Sequence, residues 1–251
     1  MSVLAVERLA KSYGGLRALD GVSFALARGE FLALIGPNGA GKTTCFNMLN
    51  GQLRPDAGRV LLDGRDVTGL SPRQICRLGV GRTFQITQSY TSMSVVENVQ
   101  LALLAHHRRI FSFLPRAASL YSAAATDLLE RVGMAAQAAR VCGVLAYGDL
   151  KRVELAVALA QAPSLLLMDE PTAGMAAQER LALMALVAAL ARGSGISVLF
   201  TEHDMDVVFA HADRIIVLDR GRILAEGPPQ AVRADPRVRE VYLGSGAMFA
   251  A

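Results

Sequence analysis

Cysteine is scarce in this chain of 251 residues, and its few copies are scattered. They are Cys45, Cys76 and Cys142, an odd number with no C-x-x-C pair and no paired histidines. Such spacing supports neither a disulfide framework nor a zinc site. We therefore expect three buried thiols in a reducing compartment.

Long hydrophobic runs are also missing. The longest covers residues 181–191 between Arg180 and Arg192, and it is too short to cross a bilayer. The first residues show no basic-plus-apolar leader pattern, so we expect the chain to stay in the cytoplasm. Because 52% of the residues are hydrophobic and 19% are charged, the chain can bury a substantial core. We predict one large domain, residues 1–251, with lobes.

Neither sign of charge is concentrated in one segment. The formal net charge is +4 and the pI is about 9.2, but the arginines are scattered along the chain. This distribution argues against nucleic-acid binding, which favours basic residues gathered on one face. It is compatible with a weak attraction to an anionic membrane surface or to acidic loops of a partner.

What the sequence does contain is the pattern G-x-x-x-x-G-K-[ST] at residues 36–43. The pattern follows an apolar run, residues 31–35, and precedes a helical-looking segment, as in a P-loop. Glycines let backbone N–H groups converge on an anion, while Lys42 can reach phosphates and Thr43 can offer its hydroxyl to Mg²⁺. A glycine-rich turn without a ligand would need every constrained position to agree by accident. We predict a magnesium-bound nucleoside triphosphate held by Gly36, Asn38, Gly39, Ala40, Gly41, Lys42, Thr43 and Thr44.

Two carboxylates end the apolar run at residues 165–168. A continuous apolar run is typical of a strand buried on both faces of a parallel sheet. We expect Asp169 to hold Mg²⁺ through its water shell, and Glu170 to act as the general base toward an attacking water.

Two more polar residues follow predicted strands. Gln85 follows residues 79–84, from where it can touch the metal ion or the attacking water, although many such glutamines are only solvated loop residues. His203 comes just after the predicted strand 197–201. A lone histidine is normally structural, but this position favours contact with a γ-phosphate. With Lys42 and Glu170, these two residues form the predicted catalytic set.

Two further segments are candidates for nucleotide contacts. Tyr13, on a predicted loop between the first two strands, can stack on a base, but a core or surface tyrosine is equally compatible with its spacing. Residues 146–149 precede a helix predicted from 150 to 160, so free N–H groups there favour an anion. From the residues alone, an ordinary loop is the simpler interpretation of this second segment.

An all-helical lobe is predicted between these segments. Ser94 and Glu97 have the spacing of a capping box and open a helix. Residues 106–140 are alanine-rich and helical in pattern. We expect His106 and His107 to lie at the solvated end of a helix rather than in a metal site.

The alternation of strands and helices behind a P-loop predicts a doubly wound α/β fold of the P-loop NTPase type. The chain also resembles the ATP-binding cassette (ABC) family along nearly its whole length, with the motifs in the family's order. The matching positions are Tyr13 for the adenine-stacking aromatic, Gln85 for the Q-loop, residues 145–149 for the signature, residues 173–176 for the D-loop and His203 for the switch histidine.

This resemblance implies a RecA-like parallel-sheet core, an N-terminal antiparallel β subdomain and an all-helical subdomain. The catalytic core would cover about residues 1–90 and 160–251, and the helical subdomain with the signature about residues 91–159. It implies ATP as the nucleotide and a head-to-tail dimer, in which one signature closes on the γ-phosphate held by the other P-loop. ATP binding then draws two membrane permease subunits together, and hydrolysis lets them part.

Two motifs depart from the family pattern. The signature Leu-Ser-Gly-Gly-Gln stands here as Leu-Ala-Tyr-Gly-Asp, so Ala146, Tyr147 and Gly148 would contact phosphate without the usual serine hydroxyl. Ala176 replaces the usual Asp or Asn of the D-loop, which removes a side chain that would reach across the dimer.

Other segments resemble one subgroup, the cassettes of bacterial branched-chain amino acid importers. These are G-R-T-F-Q at residues 81–85 and D-P-R-V-R-E-V-Y-L-G at residues 235–244. The resemblance implies an ATPase subunit, peripheral on the cytoplasmic face of the inner membrane. Its partners would be a second cassette, identical or paralogous, the permease subunits and, indirectly, a periplasmic binding protein. Nucleic acid is not an expected partner. A cassette for urea, amides or an exported lipid stays open, as does a soluble ABC-type ATPase acting on ribosomes or DNA.

A permease helix is predicted to dock on the seam formed by residues 85–96 and the adjacent helical lobe. The seam carries apolar side chains in a loop that we expect at the surface, where a contiguous apolar patch usually indicates a partner. Packing of these side chains back into the lobe is the alternative. They are Ile86, Tyr90, Met93 and Val95.

Overall fold

The computed structural model describes residues 2–83, 90–107 and 120–243. The first half contains strands β1 (Ser2–Tyr13), β2 (Leu16–Ala27), β3 (Phe31–Ile35), β4 (Ala57–Leu62), β5 (Arg65–Asp66) and β6 (Val80–Thr83), with helices α1 (Lys42–Leu49), α2 (Pro72–Arg77) and α3 (Val95–His106). The second half contains helices α4 (Ser122–Arg131), α5 (Tyr147–Leu159), α6 (Ala177–Ser194), α7 (Met205–His211), α8 (Pro229–Ala234) and α9 (Pro236–Leu243), with strands β7 (Leu165–Asp169), β8 (Ser197–Thr201), β9 (Arg214–Asp219) and β10 (Arg222–Gly227).

A six-stranded sheet in the order β10-β9-β3-β8-β7-β6 forms the centre of the molecule. Its neighbours from β9 to β6 pair in parallel, and β10 closes one edge as an antiparallel hairpin with β9. Every residue of β3, β7 and β8 is buried, as the continuous apolar runs predict for strands covered on both faces. Because parallel strands share one direction, the polar residues that follow them meet at one edge.

Two hydrophobic clusters cover the two faces of this sheet. Phe31, Ala33 and Ile35 join the cluster that includes the helices α3, α4 and α5, whereas Leu32 and Leu34 join the cluster under the N-terminal strands. This alternation follows from the two-residue period of a strand. The helical lobe is therefore anchored on the same sheet that carries the P-loop.

The N-terminal strands form a second, antiparallel sheet in the order β2-β1-β4-β5. In β2, the buried Val22, Phe24 and Leu26 alternate with exposed neighbours, as expected for a sheet with one face on the core. The α/β class, with a parallel core sheet, an N-terminal antiparallel sheet and helices, is thus confirmed. In the described ranges, no helix combines the length and hydropathy needed to cross a membrane.

Several predicted positions need correction. The helix expected from residue 150 begins at Tyr147, because Ala146 already has the extended backbone of an N-cap; Tyr147 and Gly148 therefore lie in the first helical turn. Tyr13 is the last residue of β1 rather than a loop residue. Cys76 lies on the surface helix α2 and is only partly buried, whereas the other two thiols are buried.

The helical lobe also differs in detail. The capping box of Ser94 and Glu97 opens α3 as predicted, and His106 and His107 are exposed at its end. Val95, predicted in an exposed seam, is fully buried because it starts α3 and packs into the core. Residues 84–89 and 108–119 lie outside the described part of the chain, and with them Ile86 of the seam and Gln85.

Candidate active site

The loop between β3 and α1 is built around glycines that no other residue can replace without strain. Gly36 has φ +155°, and a Cβ there would lie 2.2 Å from the carbonyl oxygen of Leu218. Gly41, the N-cap of α1, has φ +104°, and a Cβ there would lie 2.4 Å from the carbonyl oxygen of Ala18. The neighbouring hairpin and β2 thus press directly on this loop, as the P-loop prediction requires.

Lys42 lies inside this loop rather than in solvent. It is 6% exposed, and its Nζ donates to the carbonyl oxygens of Gly36 at 2.7 Å and Pro37 at 3.1 Å. Burial lowers the pKa of Lys42, while the charges of Glu170 and Asp169 act in the opposite direction. The ammonium group is therefore desolvated and close to both carboxylates, a setting in which it interacts strongly with an anion.

The two carboxylates are held by the end of the neighbouring strand. The β7–β8 register sets Asp169 opposite Thr201, whose Oγ1 donates to Asp169 Oδ1 at 2.8 Å. The same oxygen accepts a hydrogen bond from the backbone N–H of Glu170 at 3.0 Å. Glu170 has φ +49°, in the left-handed region that residues with a side chain rarely adopt. One buried hydroxyl thus positions both acids, and the strained backbone turns Glu170 away from the strand.

His203 meets Glu170 across this edge. Its Nε2 lies 2.8 Å from Glu170 Oε1, and the two side chains are 51% and 20% exposed. The sequence predicted that both residues lie at the active edge, and the structure brings them into hydrogen-bonding distance. A carboxylate and an imidazole so placed can accept and hold a proton from a water molecule bound beside them.

Glu202 and Arg82 are polar residues of this edge to which the sequence assigned no role. Glu202 is buried and accepts hydrogen bonds from the backbone N–H and the hydroxyl of Thr172 at 2.9 and 2.6 Å. Burial raises the pKa of Glu202 despite these bonds. Arg82 Nη2 lies 3.7 Å from Asp169 Oδ2, and its Nη1 donates to Gln52 Oε1 at 2.8 Å. The available signal for Glu202 was a polar residue directly after a predicted strand, and for Arg82 a charged residue inside the predicted strand 79–84.

The signature segment lies at the start of α5. Ala146 is the N-cap and makes no side-chain cap hydrogen bond. Tyr147 is 40% exposed, with Lys151 Nζ 5.3 Å from the centroid of its ring and Gly174 close to the ring edge. The segment therefore contacts the turn that follows Asp169 and Glu170. Contact of Ala146, Tyr147 and Gly148 with phosphate, and of Tyr13 with a base, stays a prediction.

Comparison with known proteins gives the family. The ABC transporter family profile matches residues 19–173, and a second profile, the branched-chain amino acid ATP-binding cassette transporter, matches residues 222–247. The high-affinity branched-chain amino acid transport ATP-binding protein LivG of Escherichia coli (strain K12) is 40% identical over 96% of this chain and 98% of its own length. BraF of Pseudomonas aeruginosa, a protein of the same description, is 38% identical over 96% of this chain and 98% of its own length.

Comparison with solved structures gives the same family. The ADP conformation of MJ1267, an ATP-binding cassette of an ABC transporter, superposes with a TM-score of 0.86 at 33% identity, over 97% of this chain and 99% of that one. A dimeric post-hydrolysis state of the cassette MJ0796, bound to ADP and phosphate, superposes with a TM-score of 0.76 at 25% identity, over 90% of this chain and 98% of that one. From its P-loop to its strand-end carboxylates, the chain therefore belongs to the ABC transporter family, as an ATP-binding and ATP-hydrolysing cassette.

Proposed function

We propose that this chain powers an importer of branched-chain amino acids from the cytoplasmic face of the inner membrane. The observation that carries the proposal is the match of residues 222–247 to the branched-chain profile, because this segment lies outside the P-loop and the strand-end carboxylates that all cassettes need. The relatives named for branched-chain transport support it over nearly the full length of the chain. Transport through permease subunits would then follow from ATP binding and hydrolysis here.

The residues present fit a magnesium ion bound together with ATP. Thr43 and Asp169 would hold it, since hydroxyl and carboxylate oxygens are ligands that Mg²⁺ prefers. In the described ranges there is no group of three or more His, Cys, Asp or Glu able to hold a metal by themselves. This fits an ion that takes most of its ligands from phosphate and water. When bound, it would neutralise charge on the phosphates.

Hydrolysis in this proposal is shared among three side chains. Lys42 exchanges the loop carbonyls that it now contacts for phosphate oxygens, and it stabilises the charge that develops on them. Glu170 accepts the proton of the attacking water. His203, within hydrogen-bonding distance of Glu170, orients the γ-phosphate side of the site. Gln85, proposed to touch the metal ion and the water, would complete the set.

Two cassettes are required in this proposal. The dimeric neighbour MJ0796 supports a dimer. In such a dimer the free N–H groups at the start of α5, at Ala146, Tyr147 and Gly148, would contact the γ-phosphate held by the partner's P-loop. Tyr13 would stack on adenine.

The permease is proposed to dock near Tyr90. Tyr90, Val141 and Val144 are 60%, 42% and 66% exposed, and the backbone joins their two segments through hydrogen bonds from Cys142 N and Gly143 N. They form an apolar patch on the helical lobe, in keeping with the predicted seam but without the buried Val95. Tyr90→Glu should uncouple transport from ATPase activity, whereas Tyr90→Phe, which keeps the ring, should not. Unchanged transport in Tyr90→Glu would contradict the docking site.

The cargo is tested by uptake. The chain is expressed with its permease and binding-protein genes in cells that lack branched-chain uptake, and entry of labelled leucine, isoleucine and valine is compared with entry of urea and methionine. We expect uptake of the three branched-chain amino acids, and its loss in Lys42→Ala. Uptake of urea or methionine alone would overturn the cargo, and uptake that persists in Lys42→Ala would overturn the role of this chain.

A further inference from the structure

Arg180, on the first turn of α6, links two loops of the site. Its Nη1 lies 2.6 Å from Asp204 Oδ2, and its Nε donates to the carbonyl oxygen of Met175 at 2.9 Å. Met175 belongs to the turn, residues 171–176, that follows Glu170 in the chain. Asp204 directly follows His203. One guanidinium group thus connects the loop after β7 with the loop after β8.

The contact with Arg180 helps to fix the loop after β7, because this loop has no capping side chain of its own. Ala176 is the N-cap of α6 but has no side-chain oxygen for the free N–H groups of the first turn. Its own N–H bonds Glu179 Oε2 at a long 3.3 Å. Arg180 does not cap these N–H groups, but its bond to the carbonyl oxygen of Met175 ties the turn to the first turn of α6.

The loop after β8 depends on the same contact. The side chain of His203 is half exposed, so packing does not hold it. Apart from its 2.8 Å hydrogen bond with Glu170 Oε1, the position of the His203 side chain follows from its neighbours in the chain. Glu202 is fixed by Thr172, and Asp204 caps α7 by accepting hydrogen bonds from the backbone N–H groups of Asp206 and Val207. Asp204 thus joins α7 to Arg180, directly beside the histidine.

We propose that Arg180 is a positioning residue for ATP hydrolysis: paired with Asp204, it holds the loop of His203 at a fixed distance from the turn after Glu170. This inference rests on the proposed roles of Glu170 and His203. The pair is 33% and 19% exposed, and such pairs add little to overall stability. Its loss should therefore appear in the rate rather than in folding.

The test uses the variants Arg180→Gln and Asp204→Asn. The asparagine keeps a side-chain oxygen for the cap of α7. We expect each single variant to lower kcat about tenfold, since small misplacements of catalytic groups cost this much or more, while the KM for ATP and the Tm change little. The double variant should be no slower than Arg180→Gln alone, because Arg180→Gln already removes the pair with Asp204. The matched control is Arg192→Gln, which removes an exposed ion pair with Asp213 at the other end of α6.

A second readout does not depend on activity. The chain has four histidines, so a spectrum of ¹³C-labelled histidine is simple to assign. The His203 signal should move in Arg180→Gln and stay in place in Arg192→Gln. The proposal would be overturned if the His203 signal did not move or if kcat were unchanged in Arg180→Gln. It would also be overturned if the double variant were slower by the product of the two single effects. Glu170→Gln is measured in parallel so that the two claims can be refuted independently. A normal rate in Glu170→Gln refutes the role of Glu170 as general base, and a normal rate in Arg180→Gln refutes the role of Arg180 as positioning residue.

Discussion

Thr201→Val tests whether one buried hydroxyl organises both acids of the site. Thr201 is fully buried, donates to Asp169 Oδ1 at 2.8 Å and accepts from the backbone N–H of Glu170 at 3.0 Å. Valine has the same shape but no hydroxyl, so the change removes both hydrogen bonds without leaving a cavity. The Glu170 N–H keeps its longer bond to the carbonyl oxygen of Thr201, at 3.2 Å. The main loss is therefore the bond to the Asp169 carboxylate.

The expected magnitude follows from that loss. A hydrogen bond to a charged group contributes about 1.5–3 kcal/mol, and the added buried methyl group returns about 0.8 kcal/mol. The net loss in the free energy of unfolding is then about 1–2 kcal/mol, or roughly 3–6 °C in Tm for a chain of this size. Because Asp169 also loses its fixed direction, kcat should fall by about tenfold or more.

Urea unfolding and steady-state ATPase assays measure the two effects separately. Ser197→Ala is the control, since Ser197 is equally buried at the opposite end of β8 and its Oγ accepts from Gly29 N at 2.9 Å. It should lose about 1 kcal/mol of stability and keep its kcat. Thr201→Ser restores the hydroxyl and should recover the rate. A Thr201→Val protein with the kcat of Ser197→Ala would refute the reasoning.

Three further outcomes are expected. Glu170→Gln should hydrolyse ATP about a hundredfold more slowly, yet bind ATP and form an ATP-dependent dimer on size exclusion. Lys42→Ala should not bind ATP. Hydrolysis at the wild-type rate in Glu170→Gln would exclude Glu170 as the general base. Gly41→Ala should abolish binding of a fluorescent ATP analogue, because its Cβ would lie 2.4 Å from a carbonyl oxygen, while Gly193→Ala, with open space around it, should bind normally. Burial raises the folded-state pKa of Glu202 above its ordinary value, so the folded state binds the proton more tightly than the unfolded chain does. Lowering the pH through the folded-state pKa should therefore stabilise the wild type relative to Glu202→Gln in urea unfolding, and the opposite sign would contradict the burial argument.

The parts of the fold that depend on local pattern could be predicted from the sequence. Continuous apolar runs gave β3, β7 and β8, because a strand covered on both faces needs no polar residue. The glycine and lysine spacing of the P-loop predicted the turn between β3 and α1 that encloses Lys42. Ser94 and Glu97 predicted the start of α3 because capping is a contact between residues three apart.

Contacts set by strand register could not be predicted in this way. Thr201 looked like the last residue of a buried strand, and only the β7–β8 pairing places its hydroxyl between Asp169 and Glu170. Arg180 on α6 and Asp204 at the N-cap of α7 lie 24 positions apart, and no spacing rule joins them. The start of α5 was placed too late because Tyr147 and Gly148 are weak helix formers, and packing overrides their propensity.

The exposure of the proposed catalytic side chains increases from the proposed metal side of the site to the proposed γ-phosphate side. Asp169 is 5% exposed and bonded within the strand ends, the Glu170 side chain is 20% exposed, and that of His203 is 51% exposed. The metal side can therefore be organised by this chain alone, since its hydrogen bonds are already made in the core. The γ-phosphate side consists of more exposed groups, which solvent reaches unless something covers them. We infer that ATP and a second cassette provide this cover, so that hydrolysis follows assembly rather than preceding it.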